Sequence, residues 1–162
     1  MMHTPLTTCA YCHSTIRITA GDPGAQGPSA EAARLAEIAQ ALTRLLQRSN
    51  EDAFAIFAES RSQKFVQFAG GASSPLFLDL PSQTLSAQEM ERATALFRDL
   101  GAGGAEEYEV YTDKTKKKVA GKQISFNLDL GQEVERAAQI TLAIFRQVYQ
   151  FPIYFQLVIA EN

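Results

Sequence analysis

The sequence predicts an α+β fold: a two-layer α/β sandwich in the order α-β-β-β-α-β-β-α over an antiparallel sheet, with room for an extra C-terminal strand. Three observations predict it. The first is a change of period inside Ile124–Val148. Ile124, Phe126, Leu128 and Leu130 alternate with Ser125, Asn127 and Asp129, as in a strand with one buried face. After Gly131, Val134, Ala137, Ala138, Thr141, Ile144, Phe145 and Val148 recur at helical spacing. A strand and a helix joined by one glycine, each apolar on one side, make half of a two-layer sandwich. The second observation is a pair of alternating segments, 53–59 and 64–69, joined by Ser60-Arg61-Ser62, which reads as an antiparallel hairpin. The third is Ser86-Ala87-Gln88-Glu89, a capping box that opens a helix between the two groups of strands.

Residues 1–29 read as a flexible N-terminal tail and linker, and 30–162 as the domain. The linker, Thr19–Ser29, holds Gly21, Pro23, Gly24, Gly27 and Pro28. The tail holds Cys9-Ala10-Tyr11-Cys12-His13, with His3 nearby. Three readings stand. One is a plain tail with reducible thiols and no cofactor. Another is zinc on Cys9, Cys12, His13 and His3, although adjacent Cys12 and His13 strain to reach one tetrahedral ion. The third is covalent haem attachment, which needs export to an oxidising compartment.

The elements follow in order. Ser29 caps a helix that begins at Ala30 or Glu31 and stops near Ser49-Asn50, with Leu35, Ile38, Ala39, Leu42, Leu45 and Leu46 on its apolar stripe. In the first strand Phe54, Ile56 and Ala58 oppose Ala55, Phe57 and Glu59; in the second Phe65 and Gln67 oppose Val66 and Phe68. Gly70-Gly71 and Ser73-Ser74-Pro75 break the chain before a third strand, Leu76–Leu80. Met90, Ala93, Leu96, Phe97 and Leu100 form the second helical stripe, and Gly101 stands where a left-handed cap belongs. Glu107–Thr112 is a strand, Asp113–Gly121 a charged hairpin tip, and Ile153–Ile159 a final β-prone segment after Pro152.

The chain of 162 residues fits one domain with a tail, and 46% hydrophobic residues suffice for a core. A net charge of −3 gives no bulk attraction to nucleic acid or to anionic membranes, so neither is an expected partner. No apolar run approaches the roughly 18 residues of a spanning helix. The first residues lack the basic and apolar regions of a signal peptide, which predicts a cytoplasmic protein.

Catalysis finds little support. Outside the tail there is no histidine and no cysteine. Gly101-Ala102-Gly103-Gly104 follows a helix, whereas a phosphate loop precedes one. Glu106, Glu107 and Glu109 fall on both faces of a strand, and Lys114, Lys116, Lys117, Lys118 and Lys122 read as a solvated tip. The expectation is a protein that is not an enzyme. The strand aromatics are another matter. Phe54, Phe57, Phe65, Phe68, Phe77, Tyr108, Tyr111 and Phe126 exceed what one thin layer of helices obviously covers, and a large apolar patch marks a protein-binding surface.

This element order is similar to the type III secretion chaperone fold and its relatives, the YbjN and TY-Chap families. Lys64-Phe65-Val66-Gln67-Phe68 resembles the second-strand motif of TY-Chap domains. Leu85-Ser86-Ala87-Gln88-Glu89, running to Leu96 and Leu100-Gly101, resembles their second helix, and Phe145-Arg146-Gln147-Val148-Tyr149 with Phe151-Pro152 the end of their third. The resemblance spans roughly Glu31–Val158. It implies a small non-enzymatic protein that holds an unfolded or partly folded client, often as a homodimer. The expected client surface is Phe57, Phe65, Phe68 and Phe77. The expected self-association surface, by analogy with secretion chaperones, is the second helix and the strand after it, with Phe97, Tyr108 and Tyr111. Two alternatives remain: an immunity or assembly-adaptor protein that binds one folded partner, and a metal-binding regulator that uses the tail.

Overall fold

The computed structural model describes residues 6–8, 15–19, 28–102, 105–111 and 119–162. Among these, the chain runs β1 (Leu6–Thr8), β2 (Thr15–Thr19), α1 (Pro28–Leu46), β3 (Phe54–Glu59), β4 (Phe65–Gly71), β5 (Ser74–Pro81), α2 (Ala87–Asp99), β6 (Glu106–Tyr111), β7 (Val119–Gly131), α3 (Val134–Ala143) and β8 (Leu157–Glu161). A 3-10 turn at Ser82–Thr84 precedes α2, and a π turn at Ile144–Val148 prolongs α3. The predicted α+β order is present from α1 onward, and the extra C-terminal strand is β8.

The sheet is eight-stranded in the order β1-β2-β8-β3-β4-β5-β7-β6, with antiparallel pairs throughout. Its first two strands correct the expectation for 1–29. Within that span Thr15–Thr19 pairs along β8, from Thr15↔Glu161 to Thr19↔Leu157, and Leu6–Thr8 pairs with β2. The physical reason is local: Thr-Ile-Arg-Ile-Thr is β-branched at four of five positions, and β8 would otherwise present an open edge. The helix boundary moves as well. α1 begins at Pro28, whose missing N–H costs nothing in a first turn, so the domain starts ahead of the expected Ala30.

All three helices lie on one face of the sheet. Ala55, Phe57, Val66, Phe68, Leu76, Leu78, Leu80, Phe126, Leu157 and Ile159 alternate out of their strands into this layer and are buried. Ile38, Leu42 and Leu45 of α1, Ala93 and Phe97 of α2, Ala137 and Ala138 of α3, and Ile144 just after it meet them. Each fully buried Leu, Ile or Phe contributes about 1.5–3 kcal/mol. Ile124 departs from its predicted buried face and is 41% exposed. The β5–β7 pairing ends at Pro81↔Ser125, so Ile124 lies beyond the layer that α2 covers.

Two glycines act through their backbone. Gly101 ends α2 at φ +77, and Gly131 turns β7 into α3 at φ +56, where its amide donates to Asp129 Oδ1 at 2.9 Å. Alanine at Phe57 or Phe68 removes core volume and is expected to cost about 3–5 kcal/mol in urea denaturation followed by circular dichroism. Alanine at Phe77, exposed on the other face, is expected to stay within about 1 kcal/mol of the unmodified chain.

Candidate functional site

The second face of the sheet carries no helix among the described residues, and most of its side chains, Pro81 and Ser125 apart, are half-buried or exposed. Pair register sets them out in three rungs. The middle rung runs Ala160, Ile56, Gln67, Asp79, Asn127 across β8, β3, β4, β5 and β7. On one side of it lie Phe54, Ala69, Phe77 and Asp129, and on the other Val158, Ala58 and Phe65. Neighbouring rungs are two residues apart, about 6.8 Å along the strands.

Two depressions cross this face. The larger, of about 710 Å³, is bordered by Phe54, Ile56, Gln67, Phe77 and Asp79, and the smaller, of about 370 Å³, by Ile56, Ala58, Phe65, Gln67 and Val158. They share Ile56 and Gln67 and form one apolar trough. Its polar lining includes Ser125, Asn127, Ser60 and Gln63, and at its centre Gln67 Nε2 donates to Asp79 Oδ2 at 2.5 Å.

The expected client surface therefore divides. Phe65 and Phe77 lie on the open face, whereas Phe57 and Phe68 are fully buried under the helices as a T-shaped pair, centroids 5.9 Å apart. The pleat separates them: Phe57 and Phe68 stand one residue out of phase with Ile56 and Gln67. The residues that replace them are Phe54, Ile56 and Val158. Counting alternation outward from the Ser60–Gln63 turn would have found the first two. Phe97 is likewise no self-association surface, because it is buried against Phe126 in a tilted ring pair, centroids 5.1 Å apart. Tyr108 and Tyr111 are in the outer strand β6, and their side chains lie outside the described residues. Cys9, Cys12, His13 and His3 also lie outside them, as do Lys114, Lys116, Lys117 and Lys118. Among the described residues no group of three His, Cys, Asp or Glu is placed to hold a metal ion. No helix among them is long and apolar enough to cross a membrane.

A polar cluster fixes one end of the trough. Lys64 Nζ donates to Glu89 Oε1 at 2.5 Å and to the Thr84 carbonyl at 2.8 Å. Glu89 also completes the predicted capping box: Oε1 accepts from the Ser86 amide at 2.8 Å, and the Glu89 amide donates to Ser86 Oγ at 3.2 Å. Tyr149 Oη donates to the Phe65 carbonyl at 2.6 Å. Burial pushes the Tyr149 phenol up to about 12, so it stays a donor. Burial also pushes the Glu89 carboxyl up, but Lys64 and the Ser86 amide outweigh it and hold the group below the ordinary carboxylate range. At the far side of the hairpin, Glu59 accepts from the Ser62 and Arg61 amides and from Ser62 Oγ, which likewise outweigh burial and lower its pKa.

No protein-family model, curated protein or solved structure matches this chain.

The lowered Glu89 pKa sets a pH dependence. The stability it contributes is present above the unfolded carboxylate pKa, about 4.3, and is lost as pH falls through the lower folded value. Glu89→Gln is expected to cost about 1–2 kcal/mol at neutral pH and to lose that difference in strong acid. Urea denaturation across a pH series checks both.

Proposed function

We propose that this chain is a non-enzymatic, cytoplasmic protein-binding module that holds an extended segment of a client protein on its open sheet face. The observation that carries the reading is the trough, a largely apolar surface from Val158 and Ile56 to Phe77 on the face that carries no helix among the described residues. Exposed apolar surface of this extent on a rigid scaffold marks a site of protein association. The flat, three-rung shape suits an extended chain, whose alternate side chains recur at the spacing of the rungs. The resemblance to secretion chaperones and TY-Chap domains points to the same activity.

The test compares the unmodified chain with Phe77→Asp and Phe54→Asp. Each is purified from the native cell, and the polypeptide that co-elutes with the unmodified chain is then purified and titrated against all three by calorimetry. The expected result is a loss of at least about tenfold in affinity for both variants, about 1.4 kcal/mol or more, with unchanged melting temperatures. Retained affinity in both variants would remove the open face as the site. Truncating the polypeptide separates a client from a folded partner. Binding by a short segment supports the chaperone or adaptor reading, and binding by an intact domain alone supports an immunity or assembly protein.

A further inference from the structure

We infer that the trough selects an extended segment with a lysine or arginine between two apolar residues, in the pattern apolar-x-cation-x-apolar. The inference rests on the client-holding reading and names the chemistry of the client. Its basis is the order of the rungs across β4 and β5. Phe77 and Ala69 form one apolar rung, Gln67 and Asp79 the next, and Phe65 the last. An extended segment laid along these strands repeats every second residue with the same step, about 6.8 Å. An apolar residue on the Phe77 rung therefore brings its second neighbour over Asp79 and its fourth over Phe65.

The residue over Asp79 must be a donor. Asp79 is half-buried, and its partner Gln67 is a neutral amide. Covering it with an apolar side chain would strip water from a carboxylate and return nothing. Glu59 also borders the smaller depression, but the Ser62 and Arg61 amides and Ser62 Oγ already hold it, so Asp79 is the carboxylate that an occupant of this face must meet. The complement of this face is thus a cation between apolar residues. A second copy of this chain fits poorly, since it would bring the same carboxylate and no described cation to the shared face.

The test is a nuclear magnetic resonance titration of the full chain with an acetylated, amidated heptapeptide, Ile-Ser-Lys-Ser-Ile-Ser-Phe. Two further peptides replace its lysine with glutamate or norleucine. Sedimentation of the chain and of Phe77→Asp runs alongside. The lysine peptide is expected to shift the amides of 54–58, 65–69 and 76–80, and to bind at least about tenfold tighter than the glutamate peptide. That advantage shrinks between about 50 mM and about 500 mM salt. Asp79→Asn is expected to abolish the preference for lysine over norleucine while leaving norleucine binding intact. The peptide series on the unmodified chain decides the question even if that variant misfolds. Norleucine binding as tight as lysine at the same amides would overturn the charge selection and leave the client-holding reading standing. No binding of any peptide would overturn both. A dimer that Phe77→Asp dissociates would also overturn both, in favour of a second copy as occupant.

Discussion

One layer of side chains joins the two halves of this protein. It runs from Leu157 and Ile159 through Phe57, Phe68 and Leu78 to Phe126, and every helix is seated on it. The pleat feeds this layer with alternate residues only, so the residues between are sent to the opposite face. With helices on one side alone among the described residues, each described aromatic in a strand is either core or surface according to its parity. The open face is thus a consequence of the closed one. A slip of one residue in β4 or β5 would bury Gln67 or Asp79 and expose Phe68 or Leu78, which pins the register firmly.

Charged side chains hold the helices down at the rim of that layer. Arg44 of α1 grips Glu161 of β8 with two bonds, Nε to Oε1 at 2.8 Å and Nη2 to Oε2 at 3.1 Å. Arg34, nearly three turns earlier on α1, reaches the Phe155 carbonyl and lies 4.9 Å over the Phe155 ring. Desolvation lowers its pKa against the opposing pull of Glu37, yet the group stays charged at any physiological pH. Lys64 and Glu89 do the same for α2. Such pairs add little stability when exposed, but here each has one nearly buried partner, so breaking one leaves a charge without compensation. The underside of the sheet is therefore a fixed surface on which the open-face rungs keep their spacing.

Much of this was legible from local pattern. Gly131 marks a real change of period, the Ser86–Glu89 box closes as its spacing demands, and Gly101 adopts the left-handed conformation its position called for. These signals depend on neighbours within four residues, and so they survive without knowledge of the fold. Which aromatics line the open face depends on more distant relations. Phe57, Phe65, Phe68 and Phe77 look alike in sequence, and only pairing across three strands separates the two that are covered from the two that are not. The strands before Pro28 were hidden for a different reason. Short, threonine-rich segments between turn residues bury little by themselves, and it is the free edge of β8 that gives them a place.

An apolar sheet face raises the question of what keeps it from sticking to others like it. Phe54, Ile56 and Phe77 alone would make a flat adhesive surface. The middle rung interrupts them with an amide and a carboxylate tied to each other across β4 and β5. A charge pointing out of an otherwise apolar face is a common guard against pairing of sheets, because its water cannot be removed without recompense. On the proposed reading, the group that guards the free face also defines what displaces that water: a partner that carries its own donor to that one position. Protection and selectivity are two effects of one desolvation cost, and both reside in Asp79.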